Sequence, residues 1–441
     1  MYKKTICLLA ALTLLVWSAG AAGTKHSTAS KFPSYEGRVM CGYQGWFRAD
    51  GDGSGQGWVH YCTAGKLDVE HLKVDLWPEV SEYEKTYPTP FKFKDGTPAR
   101  LFSPWDQSTV NLHFRWMQEY GIDGVFMQRF YNVTRTPESR AVGRVILGHA
   151  LQASQKYGRA IAVMYDLSGL RPGENCDSVI QDWKELVDQL KITSQGTNQT
   201  YLYHRGKPLV AIWGLGFPDR PYNIRDIGIE NLINFLKNDP QYGGCSIMLG
   251  VPTYFRELDK DCRPDPYLHQ MMALADVIMP WMVGRFTPLA PGDAARYGAE
   301  VKEDLAWCSA RKLDYAPCVF PGFSSYNLSR GKSGRAQILN REPRLGGRFY
   351  WNQINAAMES GAKMLYVAMF DEIDEGTAIF KCVSEPPQVA PPGKLLGYGD
   401  VPPDHYLWLT GQAGRILRGE AVADPGLYTN TKHKPLQTAN R

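Results

Sequence analysis

The chain has 441 residues, 44% of them hydrophobic and 21% charged, a globular balance that excludes a disordered chain, a collagen-like repeat and an extended coiled coil. Lys and Arg number 49 against 45 Asp and Glu, a net charge of +4, too small and too dispersed for a nucleic-acid surface. Aromatic residues reach 12%, which suits either a large core or a surface that stacks on sugar rings.

Residues 1–22 have the form of a signal peptide. Lys3 and Lys4 precede an apolar run from Ile6 to Trp17, and small residues from Ser18 to Gly23 supply a cleavage site. The run is shorter than the roughly 20 residues that span a bilayer, so the expected product is secreted or periplasmic with no membrane span. Cys7 leaves with the leader and eight cysteines remain. No Cys-x-x-Cys occurs, so the choice lies between local disulfides, Cys41–Cys62 and Cys245–Cys262, and buried free thiols. Sequons stand at Asn132, Asn198 and Asn327.

From residue 31 to 383, short apolar runs alternate with amphipathic stretches. Strands are predicted at Val39–Phe47, Gly124–Phe130, Ala160–Leu167, Pro208–Leu215, Cys245–Val251, Asp276–Val283, Asp314–Phe320 and Lys363–Phe370. Between them apolar residues recur at helical spacing. Examples are Val142, Ile146, Ala150 and Ala153, then Ile180, Trp183, Val187 and Leu190, then Tyr297, Val301, Leu305 and Cys308. The stretch Asn111 to Met117 reads as the first crossover helix. Eight strands with crossover helices predict an α/β chain folded as a (β/α)8 TIM barrel, in preference to an open doubly wound sheet. No Gly-rich dinucleotide fingerprint follows the first strand, where Cys41-Gly-Tyr-Gln-Gly-Trp46 stands instead. Residues 384–441 form a Pro-rich linker, then a docked helix carrying Tyr406, Leu409, Ala413, Ile416 and Leu417, then a flexible tail.

Chemistry in such barrels sits at the C-terminal strand ends. Those ends carry Tyr43, Gln44 and Trp46; Gln128 and Arg129; Tyr165 and Asp166; Trp213; Tyr254; and Trp281 with Arg285. Flat rings beside amide, guanidinium and carboxylate groups suit a sugar, whose C–H faces stack and whose hydroxyls hydrogen-bond. The Gly-rich Asp50–Gly55 segment has half of a calcium loop, but Tyr61 stands where a bidentate Glu is required. It is read as a loop at the mouth, with Trp58, His60 and Tyr61 over the site. His113 and His149 fall in helical patterns and are assigned to packing.

The sharpest motif follows the eighth strand, where Asp371, Glu372, Asp374 and Glu375 are closed by Gly376 and Thr377. Crowded carboxylates repel one another, so a buried member has a raised pKa. A pair with one proton between them is what glycoside hydrolysis uses. Asp371-Glu-Ile-Asp-Glu-Gly-Thr377 resembles the Asn-Glu-Trp-His-Glu-Gly-Thr motif of glycoside hydrolase family 99, the endo-acting α-mannosidases and α-mannanases. The resemblance extends to Gly42-Tyr-Gln-Gly-Trp-Phe47, Tyr120-Gly-Ile-Asp-Gly124 and Pro280-Trp-Met-Val-Gly-Arg285, and places the chain in a broader family 71/99-like group.

The resemblance implies a retaining reaction through a 1,2-anhydro sugar, without metal or cofactor. Glu372 would deprotonate the 2-hydroxyl and Glu375 would serve as general acid and base. Two departures stand out at positions that shape the sugar pocket: Ile373-Asp374 replaces Trp-His, and Asp371, expected to contact substrate, replaces Asn. The expected partner is an oligosaccharide or polysaccharide substrate. A family 71-type α-glucanase and a non-catalytic carbohydrate-binding barrel remain as alternatives.

Overall fold

The computed structural model describes residues 23–196, 199–332 and 338–435, so the export segment and the sequon at Asn198 lie outside the described residues. The chain order begins β1 (Val39–Tyr43), β2 (Tyr87–Lys92), β3 (Pro98–Leu101), α1 (Gln107–Tyr120), β4 (Gly124–Phe130), α2 (Tyr131–Thr134), α3 (Pro137–Tyr157), β5 (Ala160–Asp166) and α4 (Asp177–Gln189). It continues with β6 (Tyr203–His204), β7 (Lys207–Trp213), α5 (Ile229–Asn238), β8 (Ser246–Pro252), α6 (Tyr267–Met272), β9 (Val277–Trp281) and α7 (Asp293–Ser309). The last elements are β10 (Asp314–Tyr315), β11 (Cys318–Val319), α8 (Tyr326–Ser329), α9 (Arg348–Glu359), β12 (Leu365–Val367) and α10 (His405–Leu417).

The parallel sheet runs β10-β9-β8-β7-β5-β4-β1-β12-β11. Strands β10 and β11 are two halves of the predicted seventh strand, interrupted at Ala316-Pro317. The first half pairs with β9 and the second with β12. Hydrogen bonds from Ala316 N–H to Ile278 O and from Tyr366 N–H to Pro317 O carry the ladder across the break, so eight strand positions close into the barrel. Its strands are buried on both faces, as in Ala160–Asp166, where every residue is buried. Such strands read as continuous apolar runs rather than alternating ones.

Helices cover the outside and stop where the sequence says they must. Thr136 caps α3 by accepting the Ser139 N–H, Pro137 opens its first turn, and Gly158 ends it at φ 59°. The chain also contains elements that the apolar periodicity does not announce. The antiparallel hairpin β2–β3 lies in the long 44–106 connection, and β6 folds back on β7 through Arg205 and Gly206, both at positive φ.

The first strand is shorter than predicted. It ends at Tyr43 because the Gln44 and Gly45 N–H groups leave the ladder for Asp371. All eight cysteines in the described residues are free and buried, so Cys41–Cys62 and Cys245–Cys262 are not pairs. The Pro-rich linker pairs with the 44–106 connection, Gln388 against Lys92 and Leu396 against Leu76. Beyond α10, residues 424 and 433 touch the body: the Trp351 indole donates to Asp424 O at 2.7 Å, and His433 stacks on Trp408 with centroids 4.6 Å apart. Among the described residues, no helix is long and apolar enough to cross a membrane.

Candidate active site

Strand parity decides which side chains reach the mouth, because neighbouring residues of a strand face opposite sides of the sheet. Tyr366 marks the interior: its hydroxyl meets Gln128 Nε2 at 3.2 Å and Met164 Sδ at 3.6 Å across the barrel. A Cβ on Gly42 would collide with that hydroxyl and with the Met369 side chain, so both would have to move to admit one. Gln128, Asp166, Trp213 and Trp281 share the inward parity through the registers Gln128↔Met164, Asp166↔Trp213, Trp213↔Gly250 and Pro252↔Trp281.

Tyr43 and Arg129, predicted at the mouth, point outward instead. Tyr43 is fully buried, with its hydroxyl 2.9 Å from His113 Nδ1 on α1. Arg129 forms a buried fork on Asp182 of α4, at 2.8 and 2.5 Å. The Tyr165 hydroxyl donates to the same carboxylate at 2.8 Å. Burial holds His113 far below its ordinary pKa, at about 3, which makes it a neutral bridge between Tyr43 and Tyr83.

The catalytic candidates follow β12. Glu372 is buried, and both its oxygens are held: Oε1 accepts from Gln44 Nε2 at 2.8 Å and Oε2 from the Thr377 hydroxyl at 2.7 Å. Burial first, then the Glu375 and Asp374 carboxylates, push Glu372 well above the usual Glu range, against the two donors that favour its charge. Asp371 is completely buried and accepts the Gln44 and Gly45 N–H groups, each at 2.8 Å. It was predicted to contact substrate; the structure makes it the clamp that carries Gln44 to Glu372. Burial raises it to about 7.

The loop bearing Glu375 is braced from two sides. Glu375 O accepts the Ser324 N–H at 2.9 Å, and the Ser324 hydroxyl donates to Asp75 at 2.6 Å. Gly376 adopts φ 64°, and a Cβ there would press within 2.9 Å of Ser324 N. On the other side Arg344 donates to Gly376 O and Ala378 O at 2.8 and 2.6 Å, its guanidinium lying over the rings of Tyr398 and Tyr406. The C-terminal extension thus buttresses the carboxylate loop.

The Gly-rich loop does bring His60 to the site. His60 stacks on Trp46 at 3.8 Å and 7°, Trp46 stacks on Phe130 at 5.0 Å, and His60 Nδ1 lies 3.7 Å from Asp374 Oδ2. Burial lowers the His60 pKa against the pull of Asp374. Tyr61 does not cover the mouth; it is buried and donates to Phe102 O. Asp52 of the same loop is occupied by the Ser54 and Ala49 N–H groups and the Ser103 hydroxyl.

Across the mouth Asp166 is raised to about 6 by burial, with one oxygen on the Ser168 N–H. Trp213 meets Trp281 edge-on at 5.4 Å. Tyr254 and Arg285 belong to a separate rim network, in which the Tyr254 N–H and the Arg285 guanidinium both donate to Asp261. Several buried polar atoms around the mouth have no partner among the described residues: Gln44 Oε1, Trp46 Nε1 and Asp374 Oδ1 on the side of the glutamates, and Trp213 Nε1 across from them. Such atoms are rare in packed interiors, and here they collect where a polyhydroxylated ligand would meet them. Thr377 and Asp374 stood within the motif and were legible from it. Ser324, Arg344 and Asp75 carried no local signal.

Comparison with known proteins bears on the fold. No family model and no curated protein matches the chain. Among solved structures, the GH99 endo-α-mannosidase from Bacteroides thetaiotaomicron is similar at TM-score 0.59 and 16% identity, over 88% of this chain and 100% of that one. A structure of a GH99 endo-α-mannosidase with bis-tris-propane gives TM-score 0.58 and 17% identity, over 88% and 98%. The chain therefore has a GH99-like (β/α)8 barrel fold, as the carboxylate motif implied.

Proposed function

We propose that the chain is an exported glycoside hydrolase that cleaves α-linked polysaccharide or glycan of the α-mannan type, in endo fashion and with retention. The observation that carries this reading is Glu372, buried past the closing strand between Gln44 and Thr377, with the Glu375 and Asp374 carboxylates acting on it. In the reaction, the ionised Glu372 takes the proton of the 2-hydroxyl. That oxygen attacks the anomeric carbon while Glu375 protonates the departing glycosidic oxygen, leaving a 1,2-anhydro sugar. Glu375 then deprotonates the water that opens the ring, and Glu372 returns its proton to the 2-oxygen. A base that must remove a hydroxyl proton gains from high proton affinity, and burial supplies that to Glu372.

The same raised affinity supports a second reading, in which Glu372 is the general acid and Glu375 the base. Separate Glu372→Gln and Glu375→Gln variants, assayed on α-mannan and on an aryl α-mannoside with a good leaving group, decide between them. Loss of the acid spares release of the good leaving group from the activated substrate, whereas loss of the base that deprotonates the 2-hydroxyl abolishes release from both. The expected outcome is rescue in Glu375→Gln alone. Wild-type hydrolysis by both variants would refute the site. An α-glucan cleaved in place of α-mannan selects the glucanase alternative, and oligosaccharide binding without any cleavage selects the binding barrel.

A further inference from the structure

The mouth has a second pole that the proposed hydrolysis does not use. Strand β7 lies four positions from β12 in either direction around the barrel, so Trp213 at its end stands opposite the glutamates. Arg220 lies over this ring, with its guanidinium 5.2 Å from the Trp213 centroid and 5.4 Å from that of Phe217. The stacking fixes the guanidinium plane and leaves its N–H edge for a ligand. Arg220 Nε and Trp213 Nε1 are both buried donors without an acceptor. Among the described residues, the carboxylate paired with Arg220 is Asp219, its exposed neighbour in sequence, at a long 3.3 Å. Asp166 feels the Arg220 charge from a distance and turns one oxygen to the Ser168 N–H.

We infer that Arg220 and Trp213 form a subsite for an anionic substituent of the glycan: a carboxylate, sulfate ester or phosphate ester on a sugar distant from the cleaved bond. The inference rests on the mouth being a glycan site and names the substrate class it selects. Two unmet donors, one of them charged, on side chains stacked 5.2 Å apart suit an oxyanion. The guanidinium adds charge to shape, because its pair with the exposed Asp219 is long and weakly held. A sugar seated between the two poles would have its reacting carbon toward Glu372 and its acidic group toward β7.

Calorimetric titration of the full chain with α-mannobiose, mannobiose 6-sulfate, mannobiose 6-phosphate and a glucuronosyl-mannose disaccharide tests the inference. At least one acidic disaccharide is expected to bind about tenfold or more tightly than α-mannobiose, and the strongest of the three names the group. Raising the salt concentration narrows that gap. Arg220→Gln closes it, and Arg220→Lys, which keeps the charge but not the fork, restores part of it. Equal affinity for all four ligands in the wild type overturns the inference, as does a gap that survives in folded Arg220→Gln. Binding is read without turnover. An Arg220-dependent preference in a chain that cleaves no glycan would sustain the subsite while refuting the hydrolase.

Discussion

Thr377→Val isolates the electrostatics of Glu372. The Thr377 side chain is fully buried and donates to Glu372 Oε2 at 2.7 Å. Valine is close in shape, so the backbone bond from Thr377 N–H to Glu372 O survives while the hydroxyl donor is lost. A hydrogen bond to a charged group is worth about 1.5–3 kcal/mol, and each pKa unit corresponds to about 1.36 kcal/mol. The ionised form of Glu372 should therefore lose about one to two units of stabilisation, which raises a pKa that burial has already lifted. The sign of the kinetic effect depends on the role. If Glu372 is the base, it must be ionised, so the acid limb of the kcat/KM profile moves up by about one to two pH units and activity recovers above it. If it is the acid, the alkaline limb moves up instead. The assay is hydrolysis against pH from about 4 to 9, with a buffer series that brackets both limbs. A folded variant in which neither limb moves would refute the assignment of Glu372 to proton transfer.

Two further substitutions separate support from stability. Arg344→Met removes both donors to the carbonyls of Gly376 and Ala378. It should lower kcat about tenfold or more with a smaller change in KM, because a misplaced catalytic group costs mainly in the transition state. Arg344→Lys should recover part of the loss, and unchanged steady-state kinetics in Arg344→Met would show that the loop holds itself. Arg129→Met leaves Asp182 charged and buried without its fork. Denaturant unfolding should show a loss of about 3–5 kcal/mol, while the KM of the folded fraction stays at the wild-type value. A raised KM would return Arg129 to the mouth.

The success and failure of particular residues show what kind of information sequence carries. Eight strand positions were legible because buried parallel strands are continuous apolar runs, and α3 was legible from its stripe of Val142, Ile146, Ala150 and Ala153. The pair Glu372 and Glu375 was legible because four carboxylates so close together need a reason. Tyr43 and Arg129 were misplaced because a strand end offers two adjacent residues and only one can face the barrel. Parity requires a register, and the register is set by strands far away in sequence. Asp371 was misread for a related reason: its two oxygens are filled by N–H groups of the first strand's end, 326 and 327 positions away.

By itself, then, the sequence determined the alternation of strands and helices, the barrel they imply and the carboxylate motif at its mouth. Each of these is written in local spacing, through hydrophobic period, capping and the mutual repulsion of near neighbours. The tertiary structure decided which aromatic and polar side chains turn inward, and that the eight cysteines in the described residues stay free thiols. It also decided that Gln44 and Thr377 grip Glu372, that Arg344 ties the C-terminal extension to the loop of Glu375, and that Arg220 lies over Trp213 opposite the glutamates. Desolvation and hydrogen-bond partnership depend on what the closed barrel brings within a few ångströms, and that distance has no counterpart along the chain.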